Sequence, residues 1–249
     1  MKTLVFADVH LKGHGDDAAT LDEFVAFLRG IDPTEFPRVV MLGDLFDFWF
    51  EYRHVIFSEY FEVLRALADL RDSGAELHLI CGNHDFWAGR FLRDGLGIHV
   101  HPDSVTIEDE GPRVLFVHGD GVNPSDWSYR LYKRFARSPI VVGGFRLIHP
   151  DWAMGIARFV SGMSRRFKSG RRDNDREIEA VREHARRILE RNEADVVISG
   201  HTHATDDQTW EFENGRKARY LNTGDWMRDR AYLIWNGQNF TPKRGKTNT

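Results

Sequence analysis

The sequence predicts an α/β fold of layered sheets and helices, and three observations carry that prediction. Short apolar runs alternate with amphipathic segments through the first eighty residues. The runs are rich in Val, Ile and Leu and only a few residues long, which suits strands buried on both faces. Most of them stop at a turn-forming cluster of Gly, Asp, Asn or His. In open α/β sheets the loops at strand C-terminal ends converge on one crevice.

Taken in order, residues 2–8 (KTLVFAD) read as a strand ending in polar residues. Residues 18–29 are apolar at helical spacing, with Gly30 as a stop. Residues 38–42 (RVVML) form a buried strand that ends at Gly43-Asp44. Ile56, Tyr60, Phe61, Val63, Leu64, Leu67 and Leu70 recur at helical period over 56–72. Residues 76–81 (ELHLIC) are a strand ending at Gly82-Asn83-His84-Asp85. Runs at 104–108 and 113–117 are expected to pair, the second ending at His118-Gly119-Asp120. A basic, mostly helical segment follows. A charged helix over 173–192 then reads as a solvated face with i,i+4 pairs. Residues 195–199 (DVVIS) end at Gly200-His201-Thr202-His203. Short strands near 208–213, 217–221 and 231–236 close the chain, and 241–249 is expected to be a disordered tail. The organisation is one domain over 1–240 with a helical basic and apolar insert at about 124–172.

At 249 residues and 41% hydrophobic the chain can bury a sizeable core. No run approaches the ~18 consecutive apolar residues of a membrane span. The opening MKTLVFAD meets an acid too early for the apolar core of a signal peptide. A single cysteine, Cys81, excludes internal disulfides and reads as a small core residue. The expected location is the cytoplasm, with peripheral contact to the inner face of the inner membrane.

The charge is unevenly spread. Residues 127–172 carry eleven Lys or Arg and one acid, a net of +10 inside a chain whose total is −4. Trp127, Tyr129, Tyr132, Phe135, Phe145, Trp152, Phe159 and Phe167 are interleaved with them. One reading is a helical subdomain with solvated cations. Another is a lid that binds an amphiphilic anion and lies against anionic lipid headgroups, because basic residues with Trp and Phe are the composition of interfacial segments. Nucleic acid is disfavoured, since the acidic remainder would repel a long polyanion.

The chemistry sits in five clusters: Asp8-x-His10, Gly43-Asp44, Gly82-Asn83-His84-Asp85, His118-Gly119-Asp120 and Gly200-His201-Thr202-His203. Singly, an Asp-x-His or a Gly-Asp is an incidental match. All five at strand ends, in this order, describe one site. Residues two apart on an extended segment point the same way, so Asp8 with His10 and His201 with His203 can converge. Imidazole, carboxylate and amide oxygen together suit a divalent transition metal, and the lack of thiolate excludes a finger-type structural zinc. Two His-containing pairs and a carboxylate between them suggest two metals roughly 3.5–4 Å apart, the spacing of phosphoryl-transfer sites. The remaining histidines (14, 54, 78, 99, 101, 149 and 184) read as surface or structural, and "NTGDW" at 222–226 as a packing or turn element.

These motifs resemble the calcineurin-like metallophosphoesterase superfamily from residue 5 to about 225. The resemblance implies a four-layer αββα sandwich with a binuclear metal centre, with Mn²⁺ as the expected metal and Fe, Zn or others as alternatives. It assigns Asp8, His10 and His203 to one metal, Asn83, His118 and His201 to the other, and Asp44 to the bridge. It implies attack of metal-bound hydroxide on phosphorus, with His84 protonating the leaving oxygen or stabilising charge. Asp85 is expected to orient His84.

Within that superfamily, "HGDGVNPSDWSYRLYKRF", the aromatic "GDLFDFWF" and the basic insert resemble the UDP-2,3-diacylglucosamine pyrophosphohydrolases of lipid A synthesis. That resemblance implies release of UMP and a lipid monophosphate. It also places Asp126, Ser164, Lys168 and Arg171 at sugar or phosphate contacts. His84 stands where the best-known members of that branch have Arg, a permanent cation that cannot donate a proton. The alternative expectation is a soluble phosphodiesterase or phosphatase acting on a nucleotide or other small phosphoester.

Overall fold

The computed structural model describes residues 1–12, 18–109, 111–123, 127–156 and 171–245, with side chains at all of these except 128 and 171–173. The strands are β1 (Thr3–Phe6), β2 (Arg38–Met41), β3 (Glu76–Ile80), β4 (His99–His101), β5 (Ser104–Ile107), β6 (Val114–Val117), β7 (Val196–Ser199), β8 (Thr205–Glu211), β9 (Lys217–Thr223), β10 (Ala231–Trp235) and β11 (Phe240–Arg244). The helices are α1 (Ala18–Arg29), α2 (Phe61–Asp72), α3 (Trp127–Ala136), α4 (Pro139–Phe145), α5 (Arg171–Glu190) and α6 (Trp226–Asp229). Residues 150–156 are also helical.

Two sheets form, in the orders β11-β10-β1-β2-β3-β4 and β5-β6-β7-β9-β8. β1 to β4 run parallel, as do β6, β7 and β9, so their C-terminal ends share an edge within each sheet. Alternation along the strands builds the layers. Leu4, Phe6, Val39, Met41, Leu77 and Leu79 face outward onto Phe24, Leu28, Val63 and Leu67 of α1 and α2. Val5, Val40 and Ile80 face inward onto Val114, Phe116, Val196 and Ile198 of the second sheet. Val197, Ala218 and Tyr220 pack against Val181, Ala185 and Leu189 of α5. The result is helix, sheet, sheet, helix, the expected αββα sandwich. Strands buried on both faces must be apolar throughout, which is why they read as continuous runs.

Several boundaries differ from expectation. β4 is a three-residue His-Val-His strand with no apolar pattern to announce it. α2 begins at Phe61 after a single 3₁₀ turn over Ser58–Tyr60, not at 56. β8 begins at Thr205, not 208. Residues 241–244 are not tail: they pair with β10 as the edge strand β11. Its Pro242 and Lys243 are residues that blunt an edge against further pairing.

Candidate metal centre

Backbone conformation first sets the site apart. Seven described non-glycine residues have positive φ, and five of them belong to the expected ligand set: Asp8 (φ 55°), His10 (49°), Asp44 (51°), His201 (70°) and His203 (56°). Each such residue costs roughly 1–2 kcal/mol, and such strain clusters where the surroundings over-determine a functional geometry. Strand alternation is therefore not what makes Asp8 and His10 converge, since β1 has already ended at Phe6. Left-handed turns aim both side chains inward. The loops interlock through His10 N–H donating to Asp44 O (2.9 Å) and His201 N–H donating to Asp8 Oδ2 (2.7 Å). Glycine permits the close approach: a Cβ on Gly82 would meet Asp44 Oδ1 at 2.2 Å, and one on Gly200 would meet Asp8 Oδ2 at 2.8 Å.

The side chains then form a continuous donor set. The ligand atoms of Asp8, His10 and His203 lie within 4.8 Å of one another, as do those of Asp44, His118 and His201. A third such group, His10, Asp44 and His84, joins them through Asp44. Asp44 Oδ2 is 3.7 Å from His10 Nε2 and 3.5 Å from His118 Nε2, which puts one carboxylate oxygen between the two groups. Asn83 Oδ1 is 3.3 Å from His118 Nε2, on the second group's side. All seven expected ligands are thus brought together. Asp8 Oδ1 and His10 Nε2 are buried with no hydrogen-bond partner, an arrangement that costs free energy unless a cation completes it. Nitrogen and oxygen donors of this kind fit divalent metal ions.

The outer nitrogens are held in turn. His118 Nδ1 is 2.6 Å from Leu42 O, His84 Nδ1 is 2.7 Å from Asp47 O, and His203 Nδ1 is 2.9 Å from Asp225 Oδ2. Such partners fix which nitrogen faces the metal. Asp225 was legible only as part of a packing motif, yet it both caps α6 and orients His203. Asn222 donates to Gly200 O (2.7 Å) and so braces the Gly-His-Thr-His turn.

One expected role is corrected here. Asp85 does not hold the second nitrogen of His84; Asp47 does, through its carbonyl. Asp85 is fully buried and accepts from Gly82 N–H (2.6 Å) and Leu45 N–H (2.9 Å), which ties the Asn83-His84 turn to the Asp44 loop. Asp47 is also 3.9 Å from His10 Nδ1 through its carboxylate.

Titration follows the packing. Burial pushes the Asp8 carboxyl up, and pushes Asp85 up to about 6 with the charge of Asp44 adding to it. Burial works the same way on Asp44, but the imidazoles of His118, His84 and His10 outweigh it and hold Asp44 well below the carboxylate range. Burial drives His10 well below its ordinary value. It opposes the charge on His118 too, yet Asp44 prevails and raises His118 to about 10. Asp44 thus draws positive charge toward itself, and a divalent cation competes for that place with a proton.

The comparisons with known proteins fit this geometry. The calcineurin-like phosphoesterase family model matches residues 1–205. The chain belongs to that family. It is accordingly a metal-dependent hydrolase of phosphoester or phosphoanhydride bonds. A Porphyromonas gingivalis protein named UDP-2,3-diacylglucosamine hydrolase is 32% identical, over 93% of this chain and 92% of its own length. Proteins of the same name from Photorhabdus laumondii and Vibrio atlanticus are 31% identical over 82% of each chain and 25% identical over 96% of each chain.

The aromatic run beside Asp44 divides. Phe46 and Trp49 stack on each other (4.5 Å) and pack in the core with Tyr60. Phe48 and Phe50 point toward the insert, where Phe50 lies 4.6 Å from the Phe145 ring of α4. Glu51 explains the acid in this run: its buried carboxylate accepts from Gly89 and Phe91 N–H (2.8 Å each), joining the Asp44 loop to the segment after His84. Asp126, Ser164 and Lys168 lie outside the described residues, as does the side chain of Arg171.

Proposed function

We propose that the chain cleaves the pyrophosphate of UDP-2,3-diacylglucosamine to UMP and the acylated sugar monophosphate, at an anionic membrane surface. The observation that carries this reading is the apolar continuity from the bridging Asp44 into the insert. Phe48, Phe50 and Trp87 meet Phe145, and in the same insert Ile140 (87% exposed), Leu147 (89%) and Trp152 (72%) stand open, in a stretch of sequence rich in Arg and Lys. A nucleotide diphosphate alone needs no such surface; a substrate with acyl chains does. The names of the relatives support the same substrate.

Two divalent ions, with Mn²⁺ as the proposed metal, would be held by Asp8, His10, His203 and Asp44, and by Asp44, Asn83, His118 and His201, a mixed set of imidazole nitrogens and carboxylate or amide oxygens. When bound they supply charge stabilisation for an in-line displacement at phosphorus. The chain's own residues orient and exchange protons. With Nδ1 held by the Asp47 carbonyl, His84 presents Nε2 to the site, 4.0 Å from Asp44 Oδ2 and partly open to solvent. Its imidazolium can donate to the leaving phosphate oxygen and offset charge there. Asp126, Ser164, Lys168 and Arg171 are proposed sugar and phosphate contacts.

A mass-spectrometric assay of Mn²⁺-loaded protein on UDP-2,3-diacylglucosamine in anionic vesicles tests this. UMP release is the expected result. No UMP with brisk turnover of small soluble diesters overturns the lipid substrate and leaves the smaller phosphoester as the reading.

A further inference from the structure

We propose that Glu177 of α5 is a positioning residue for the second metal: its carboxylate holds the Nε2 proton of His201 and so turns Nδ1 to the ion. His118, His84 and His203 have a hydrogen-bonded outer partner, and His10 Nδ1 faces the Asp47 carboxylate. For His201 the neighbour among the described residues is Glu177, whose Oε1 lies 3.5 Å from His201 Nε2. A carboxylate there sets the tautomer and raises the basicity of the ligand.

The placement is not that of a solvated charge. One face of α5 runs through Val181, Ala185, Ile188 and Leu189, all buried against the second sheet. Glu177 is one turn before Val181 on that same face, where the pattern calls for an apolar side chain. Val181 itself lies beside Gly119 and the Cβ of His201, since a Cβ on Gly119 would meet Val181 Cγ1 at 3.5 Å and His201 Cβ at 3.6 Å. The helix therefore delivers the carboxylate to the Gly-His-Thr-His turn. The acids on its outer face behave otherwise: Glu179 is exposed and pairs with Arg182 at i+3. Glu177 Oε2 also accepts from Asn123 Nδ2 at 3.4 Å. Asn123 precedes the insert and Glu177 follows it, so the two ends of the insert meet at a ligand of the second metal.

The inference rests on the two-metal centre and not on the lipid substrate, so Mn²⁺ alone is the probe. Isothermal titration of the full chain with Mn²⁺ is compared for wild type, Glu177→Gln, Glu177→Asp and Glu179→Gln. The expected result is that E177Q weakens one of two Mn²⁺ sites by about tenfold or more and leaves the other unchanged. E177D restores most of the loss, and E179Q binds as wild type. Unchanged Mn²⁺ affinity in E177Q overturns the inference, as does an equal loss at both sites accompanied by a lowered melting temperature of the metal-free protein. A wild-type chain that binds no second Mn²⁺ overturns the two-metal centre along with it.

Discussion

The floor of the site and the insert above it are built on opposite plans. On the floor, Asp8, Asp44, Asp85 and His118 are all but inaccessible, and most of their polar atoms are tied to backbone groups or to one another, with Asp8 Oδ1 left for a cation. In the insert, Ala136 and Ala153 are the only buried residues with described side chains between 127 and 156. Among the described residues, helices α3 and α4 have no core of their own. They are pinned to the floor by polar anchors: Tyr129 and Lys133 on Asp120 (2.7 Å each), Trp87 Nε1 donating to Ala136 O, and Tyr52 OH donating to Ile148 O. The difference teaches where each property resides. The strained, buried floor can carry chemistry that is indifferent to the substrate's tail, and the insert offers an apolar surface with little folding role.

Several changes would break or sharpen that contrast. The largest effect is expected at the bridge. Asp44→Asn removes the carboxylate shared by both ligand groups, and turnover of lipid and soluble substrates alike falls on the order of 10³-fold. Steady-state kinetics with both substrates checks it, and a loss confined to the lipid would contradict the division. His84→Ala comes next, with kcat lower by roughly 10²-fold and Mn²⁺ stoichiometry retained. Phe145→Ala removes the ring that joins the Asp44 loop to α4; KM for the lipid substrate should rise about tenfold while kcat on a soluble diester holds.

The smallest effect lies outside both regions, at the β3–β4 edge. Burial holds His78 near pKa 4, beside Glu76, His99 and His101. An unfolded His binds its proton at a higher pH, so this residue lowers stability as pH falls from 6.5 through 4 and has no effect above that window. The loss is about 2 kcal/mol or less, and denaturant melts of metal-loaded His78→Gln should show a flatter acid limb than wild type.

How much of this was legible depends on whether neighbours in space are also marked in sequence. Each ligand follows an apolar strand, and Asp44, Asn83, His118 and His201 stand beside glycine, so the seven ligands and the layer order could be read off. The residues that orient them could not. Asp47 looks like one acid in an aromatic run, Asp225 like part of a packing or turn element, and Glu177 like one charge in a charged helix; tertiary packing alone brings them to His84, His203 and His201. The signal for Glu177 was an acid in phase with Val181, Ala185 and Ile188, which the reading of α5 as a solvated face passed over. β4 and β11 escaped because short edge strands carry little burial: only Phe240 of β11 is buried.

The contrast between floor and insert meets its most direct test in a triple variant, Ile140→Ser, Leu147→Ser and Trp152→Ser, assayed on UDP-2,3-diacylglucosamine and on a soluble diester. These side chains are exposed, so the fold should be spared. The expected result is a kcat/KM for the lipid lowered about tenfold or more with the diester rate intact. Equal loss on both substrates, or no loss on the lipid, would contradict the separation of chemistry from substrate selection.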